Sequence, residues 1–220
     1  MKVLLFGATG MVGQGVLREC LLDDGVTQVV SVGRRPSGQT HAKLADLVVP
    51  DMFDYGAVEG RLAGYDACFF CLGVSSVGMS EADYRRTTHD LTLAAARLLV
   101  RLNPQMSFIY VSGAGTDSTE RGPSMWARVK GETENALMRL PFKAAYMFRP
   151  GFIQPLHGVR SKTALYRWVY VLAVPVFGLV RRMAPDRVTT SEQIGRAMLA
   201  AVRSGAPTPL VEMPLINALR

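Results

Sequence analysis

Short, nearly unbroken apolar runs alternate along this chain with longer stretches whose apolar positions recur every three or four residues. The runs VLLF, VVSV, ACFFCL, FIYV and AYMF are too short for helices and lack a polar face, so they predict strands buried on both sides. They place strands at Lys2 to Phe6, Gln28 to Val32, Ala67 to Leu72, Ser107 to Val111 and Ala144 to Phe148, with a weaker one at Leu47 to Val49. Between them, Met11 to Leu22, Glu81 to Leu102 and Ser124 to Leu140 have helical period. Strands joined by crossover helices make a parallel sheet, so the fold class expected is α/β, doubly wound, with flanking helices on both faces.

The last third is less regular. Residues 163–182 are apolar and aromatic with basic ends, Thr189 to Arg203 reads as a helix, and Leu210 to Ile216 reads as a closing strand that Pro214 would confine to a sheet edge. In that helix Thr189 and Glu192 form a T-x-x-E capping box, while Ile194, Ala197, Met198, Ala201 and Val202 share one face. No repeat or long linker divides the chain. One domain over residues 1–220 is expected, with 151–220 as a small C-terminal extension on the substrate side.

At 220 residues, 49% hydrophobic and 20% charged, the chain has enough apolar surface to bury a core, which excludes disorder. Three cysteines, Cys20, Cys68 and Cys71, are too few for a disulfide framework. The opening apolar stretch breaks at once into glycines, unlike a signal peptide, so a cytoplasmic location is expected. The net charge of +7 arises wholly in the second half. Its basic residues do not interleave with stacking aromatics, so no nucleic-acid partner is expected. The uncharged run from Trp168 to Val180 is too short to span a bilayer. With its basic flanks, 160–182 is a candidate for peripheral membrane or protein contact.

The first strand runs directly into Gly7-Ala8-Thr9-Gly10-Met11-Val12-Gly13, a G-x-x-G-x-x-G, and then into a helix. Glycines there allow a tight turn, close backbone approach to a pyrophosphate, and close packing of helix on strand. The helix N-terminus adds free N–H groups for the anion. This is the dinucleotide-binding pattern of a Rossmann sheet. The second strand ends in Gly33-Arg34-Arg35-Pro36, with no acid for the ribose hydroxyls. Two guanidiniums there suit a 2′-phosphate, which favours NADP, with NAD as the alternative if one arginine merely stacks on adenine.

The stretches GATGMVG at 7–13, CFFCLG at 68–73, YVSGAG at 110–115, VKGETE at 129–134, FRPGFI at 148–153 and VTTSEQIGRAML at 188–199 resemble the short-chain dehydrogenase/reductase superfamily. The resemblance is strongest to its atypical, NAD(P)H-binding, epimerase-dehydratase-like members, in the branch of the Tat-interacting protein. It implies that Gly7, Thr9, Gly10, Met11 and Val12 hold the pyrophosphate and that Arg34 and Arg35 face the adenosine. It further sets Asp51 and Met52 beside the adenine, Cys71, Leu72 and Gly73 by the ribose, and Pro150, Gly151, Phe152 and Ile153 by the nicotinamide.

The family's chemistry uses a Ser at the end of the fifth strand and a Tyr-x-x-x-Lys on the next helix. Ser112 and Lys130 match as catalytic residues, with Lys130 also on the nicotinamide ribose, but the Tyr position is Trp126. None of the seven tyrosines has a lysine four residues later. An indole donates a hydrogen bond yet does not ionise near neutral pH, so the standard proton route is missing.

Other signals are weaker. Cys68 and Cys71 lie three apart on a strand, which sends them to opposite faces and opposes a redox pair. His41, His89 and His157 show no obvious carboxylate partners, so no metal site is expected; His157 alone is placed near a substrate pocket. Two functions remain open. One is an oxidoreductase or epimerase-like enzyme on a small carbonyl or hydroxyl substrate. The other is a non-catalytic NADP(H)-binding regulatory or interaction module.

Overall fold

The computed structural model describes residues 1–158 and 188–220. The segment 160–182 singled out for membrane or protein contact lies outside the described residues, apart from which no described helix is long and apolar enough to cross a membrane.

The chain opens with β1 (Lys2–Phe6), α1 (Met11–Leu22), β2 (Gln28–Gly33) and β3 (Leu44–Val48), followed by a 3-10 turn (Gly56–Leu62) and β4 (Ala67–Phe70). Then come α2 (Glu81–Arg85), a π-helical turn (Arg86–Asp90), α3 (Leu91–Leu102), β5 (Ser107–Val111), α4 (Met125–Met138), β6 (Ala144–Arg149) and β7 (Phe152–Gln154). The described C-terminal part holds β8 (Val188–Thr190), α5 (Ser191–Ser204), β9 (Leu210–Glu212) and α6 (Met213–Ala218).

Seven strands form one sheet in the order β3-β2-β1-β4-β5-β6-β9, every pair parallel, while β7 and β8 pair in a small sheet of their own. This is the doubly wound Rossmann order, with the connection reversing direction between β1 and β4. Alternate strand residues feed two cores. Val3, Leu5, Phe69, Ile109 and Phe148 pack under α1 and α5; Leu4, Phe6, Phe70, Phe108 and Tyr110 pack under α3 and α4. On the second face Phe6, Phe70 and Phe108 stack from strand to strand at centroid spacings of 5.0 and 5.9 Å.

On the first face two helices far apart in sequence are pressed together. A side chain on Gly15 of α1 would meet Ser191 at 2.6 Å, and one on Gly195 of α5 would meet Glu19 at 2.8 Å. Glu19 also accepts from Arg196 at 3.1 Å, and Asp23 pairs with Arg203.

Several expected boundaries move. The long helix expected over Glu81 to Leu102 runs its full length but widens into a π-helical turn at Arg86–Asp90. Thr87 Oγ1 there donates to the carbonyls of Asp83 (2.9 Å) and Tyr84 (3.2 Å), and Thr92 Oγ1 donates to Thr88, so side chains compete for the helical acceptors. The closing strand ends at Glu212, and Pro214 falls in the first turn of α6, where its missing N–H is not needed. The helix cap is Thr190, which accepts from Gln193 N at 2.9 Å, rather than Thr189 with Glu192. Glu192 instead pairs with His157 and Arg196.

Candidate functional site

At the reversal point between β1 and β4 the backbone crowds. Gly7 has φ +82°, and a Cβ on it would lie 2.7 Å from the Cys71 carbonyl and from Leu72 N. Gly10 N donates to Gly7 O at 2.9 Å, and a Cβ on Gly13 would stand 2.0 Å from that same oxygen. The turn therefore admits glycine alone at its first and last positions. Gly10 caps α1 without a side-chain hydrogen bond, and no acid stands in the first turn, so the N-terminal N–H groups around Met11 and Val12 face no built-in anion.

Across the loop a cleft of about 500 Å³ is lined by Gly7, Thr9, Arg34, Arg35 and Leu72, with Ala8, Ser31 and Pro36 among the others. Arg34 and Arg35 are exposed and form no ion pair among the described residues. Their loop is tied to β3 by Asp46, which accepts from Ser37 N at 2.9 Å and Ser37 Oγ at 3.1 Å. Asp51 and Met52 lie outside the cleft lining: Asp51 accepts from Phe53 N at 2.9 Å, and Met52 is buried with the second core. Cys71 N donates to Phe6 O at 2.9 Å, and Gly73 has open space around it. Ala8 and Pro36 flank the residues expected to bind, whereas Ser31 was not anticipated in the lining because nothing but tertiary position marks it.

Ser112 is buried, and its hydroxyl donates to the Phe148 carbonyl at 3.1 Å. Lys130 Nζ donates to the Ser112 carbonyl at 2.6 Å and more weakly to Val111 at 3.5 Å. The two residues singled out for chemistry are thus brought together. Burial pushes the Lys130 ammonium down to about 8, against the opposing pull of Glu134 one turn along α4. Trp126, one turn earlier, is half-buried, and a Cβ on Gly115 would meet its ring at 3.6 Å. The loop after β5 is locked to α4: a Cβ on Gly131 would overlap Asp117 O at 1.8 Å, and the Asp117 carboxylate accepts from Thr119, Arg121 and Gly122.

Beneath this loop lies a network that the sequence reading missed. Arg149 Nε donates to both oxygens of Glu134, at 3.0 and 3.2 Å, and the rest of its guanidinium reaches Ser118 Oγ at 2.5 Å and Glu212 at 3.1 Å. Glu134 is fully buried. The matching stretches VKGETE and FRPGFI are therefore joined by one ion pair, and the only hint in the sequence was an acid on the Lys130 face of a helix.

After β6, Pro150 O accepts from Ala114 N at 2.9 Å; Gly151 and Phe152 are exposed, whereas Ile153 is buried on the first face. His157, at φ 56°, lies 2.8 Å from Glu192. His89 lies 2.8 Å from Asp90 and 3.9 Å from Glu132. The expectation that the histidines lack carboxylate partners is corrected for both: Glu192 reaches His157 from a distant part of the chain, whereas the partner of His89 is the adjacent Asp90. No group of three or more His, Cys, Asp or Glu comes together among the described residues. Cys68 and Cys71 belong to opposite cores. A larger cleft, about 580 Å³, lies between α1 and α5 and is lined by the paired charges Asp23, Arg196 and Arg203.

A family model described as NAD(P)H-binding matches residues 7–140. A protein named fmp52, mitochondrial, from Emericella nidulans is 28% identical over 221 residues, covering 97% of this chain and 91% of the relative. Protein HTATIP2 from Rattus norvegicus is 26% identical over 201 residues, 86% of this chain and 81% of the relative. In fold, the chain is similar to the Bordetella bronchiseptica enzyme WbmF in complex with NAD+, with TM-score 0.68 and 15% identity over 99% of this chain and 76% of that one. A UDP-N-acetylglucosamine 4-epimerase from Methanobrevibacter ruminantium gives TM-score 0.67 and 16% identity, covering 92% of this chain and 73% of that one. The cytoplasmic location expected from composition is overturned, since the fungal relatives are named mitochondrial proteins. Cysteine usage alone does not separate the two compartments. With the glycine cradle in place and the family model spanning more than half of the chain, the chain belongs to the NAD(P)H-binding family.

Proposed function

We propose that this chain is an NADP(H)-dependent oxidoreductase or epimerase-like enzyme acting on a small carbonyl or hydroxyl substrate. The observation that carries this reading is the glycine cradle opposite two unpaired arginines in one cleft. The cradle fits a pyrophosphate, because a Cβ at Gly7 or Gly13 would fill the space the turn keeps clear. Arg34 and Arg35 fit a 2′-phosphate through charge-assisted bonds, and they pair with no acid among the described residues. The bound dinucleotide would supply or accept hydride. In this reading Asp51 and Met52 border the adenine, Cys71, Leu72 and Gly73 border the ribose, and Pro150, Gly151, Phe152 and Ile153 border the nicotinamide.

Lys130 holds the nicotinamide ribose, and Ser112 orients the substrate oxygen after its hydroxyl turns away from Phe148. Trp126 closes the pocket without moving a proton. The same indole favours a second reading, a binding module without turnover.

Titrating the protein with NADPH and NADH by calorimetry tests the assignment. Removing both guanidiniums in an Arg34→Ala/Arg35→Ala variant is expected to weaken NADPH about a hundredfold, the equivalent of about 2.7 kcal/mol. NADH binding should change little. Equal loss for both dinucleotides would sink the NADP assignment, and a Trp126→Tyr variant that gains turnover over a silent wild type would favour the second reading.

A further inference from the structure

The chain has five lysines against twenty arginines, and one of the five is chemically distinct. Lys130 Nζ rests on two carbonyl oxygens and lies 5.6 Å from the Tyr110 ring centroid, with no carboxylate in ion-pair contact among the described residues. Glu134, the acid on its own helix face, has both oxygens engaged by Arg149. From β5 it is faced by Tyr110, whose phenol burial keeps neutral. Trp126 stands one turn before it on the same face of α4. Here, then, is a half-buried amine with hydrogen-bond acceptors and no ion-pair partner among the described residues, one helical turn from a flat indole.

We propose that Lys130 is a nucleophilic amine that captures an aldehyde as an imine against Trp126. The step needs no dinucleotide and goes beyond the redox reading. The lone pair of neutral Nζ attacks the carbonyl carbon and forms the C–N bond. The carbonyl oxygen collects the two nitrogen-borne protons and leaves as water, and C=N remains. One amine and one aldehyde give one imine and one water, with nothing oxidised or reduced. Desolvation raises the neutral fraction. At pH 7.5 it gives about a quarter of the groups a free lone pair, where a solvated lysine has about a thousandth. The indole favours an aromatic aldehyde, which can stack on it.

The test is reductive trapping of the whole protein with benzaldehyde and cyanoborohydride at pH 7.5, followed by peptide mapping. Lys130 is expected to take the benzyl group at least about tenfold faster than Lys2, Lys43 and Lys143. Lys43 is the internal comparison, since its Nζ also rests on carbonyls, those of Leu21 (3.3 Å) and Asp23 (2.8 Å). Labelling at equal rates overturns the proposal. A Trp126→Ala variant should lose the preference for benzaldehyde over propanal; if it fails to fold, the wild-type labelling pattern decides alone. Should the benzylated protein bind NADPH undiminished, the imine site stands, and it is the placing of Lys130 on the ribose that falls.

Discussion

Gly13→Ala is expected to abolish NADPH binding and to lower the melting temperature by about 10 °C. The added methyl would sit 2.0 Å from Gly7 O and 2.7 Å from Gly7 C, both backbone atoms that cannot rotate away. The only relief is to push α1 off β1, and α1 is itself wedged against α5 through Gly15. Overpacking of this kind costs about 3 kcal/mol, and a domain of this size loses about 2–4 °C per kcal/mol. The shift also carries the loop N–H groups off the pyrophosphate, so calorimetry should show at least about a hundredfold loss of affinity. Gly60→Ala is the matched control, with nothing within 4 Å of its new carbon. A Gly13→Ala protein that binds NADPH normally would mean that the loop does not hold the phosphates.

Arg149→Leu is expected to have the largest effect on stability outside the loop. It strands the carboxylate of Glu134, whose side chain has no exposure, and releases Ser118 and Glu212 as well. Breaking one side of such a buried pair costs about 3–5 kcal/mol, or about 10–15 °C here. The double variant Glu134→Leu/Arg149→Leu should recover much of that loss, because the stranded charge rather than the lost attraction dominates. Arg203→Ala, which opens the exposed pair with Asp23, should cost no more than about 1 kcal/mol. Thermal melts of the wild type, Arg149→Leu, Glu134→Leu and the double variant close the cycle and give the coupling energy directly. A double variant no more stable than Arg149→Leu alone would show that the pair's attraction, not desolvation, holds that corner.

The sheet centre was legible because β1, β2, β4, β5 and β6 are covered on both faces and therefore read as continuous apolar text. Strand β3 was misplaced by three residues for the opposite reason. It is an edge strand in which only Leu47 is fully buried while Ala45 and Val48 are exposed, and so short and half-covered a run is easily taken for loop. Strands β7 and β8 were invisible, since each is three residues long and Phe152 meets Val188 only through the folded chain. In the site, the glycine loop could be read because its constraint is local and steric. The Arg149–Glu134 pair could not, because a charge becomes buried only when a partner from another element arrives.

The wedge of α1 against α5 also has a temporal side. Residues 11–22 leave the ribosome well before Ser191 and Gly195, yet those later residues complete the surface buried under Gly15. Until then Val16 and Cys20 lack their cover from that helix. Contacts of such long sequence separation form late, after loop closure has been overcome. The nascent chain therefore carries its phosphate loop unsupported until α5 emerges, and competence to bind dinucleotide arrives with that helix.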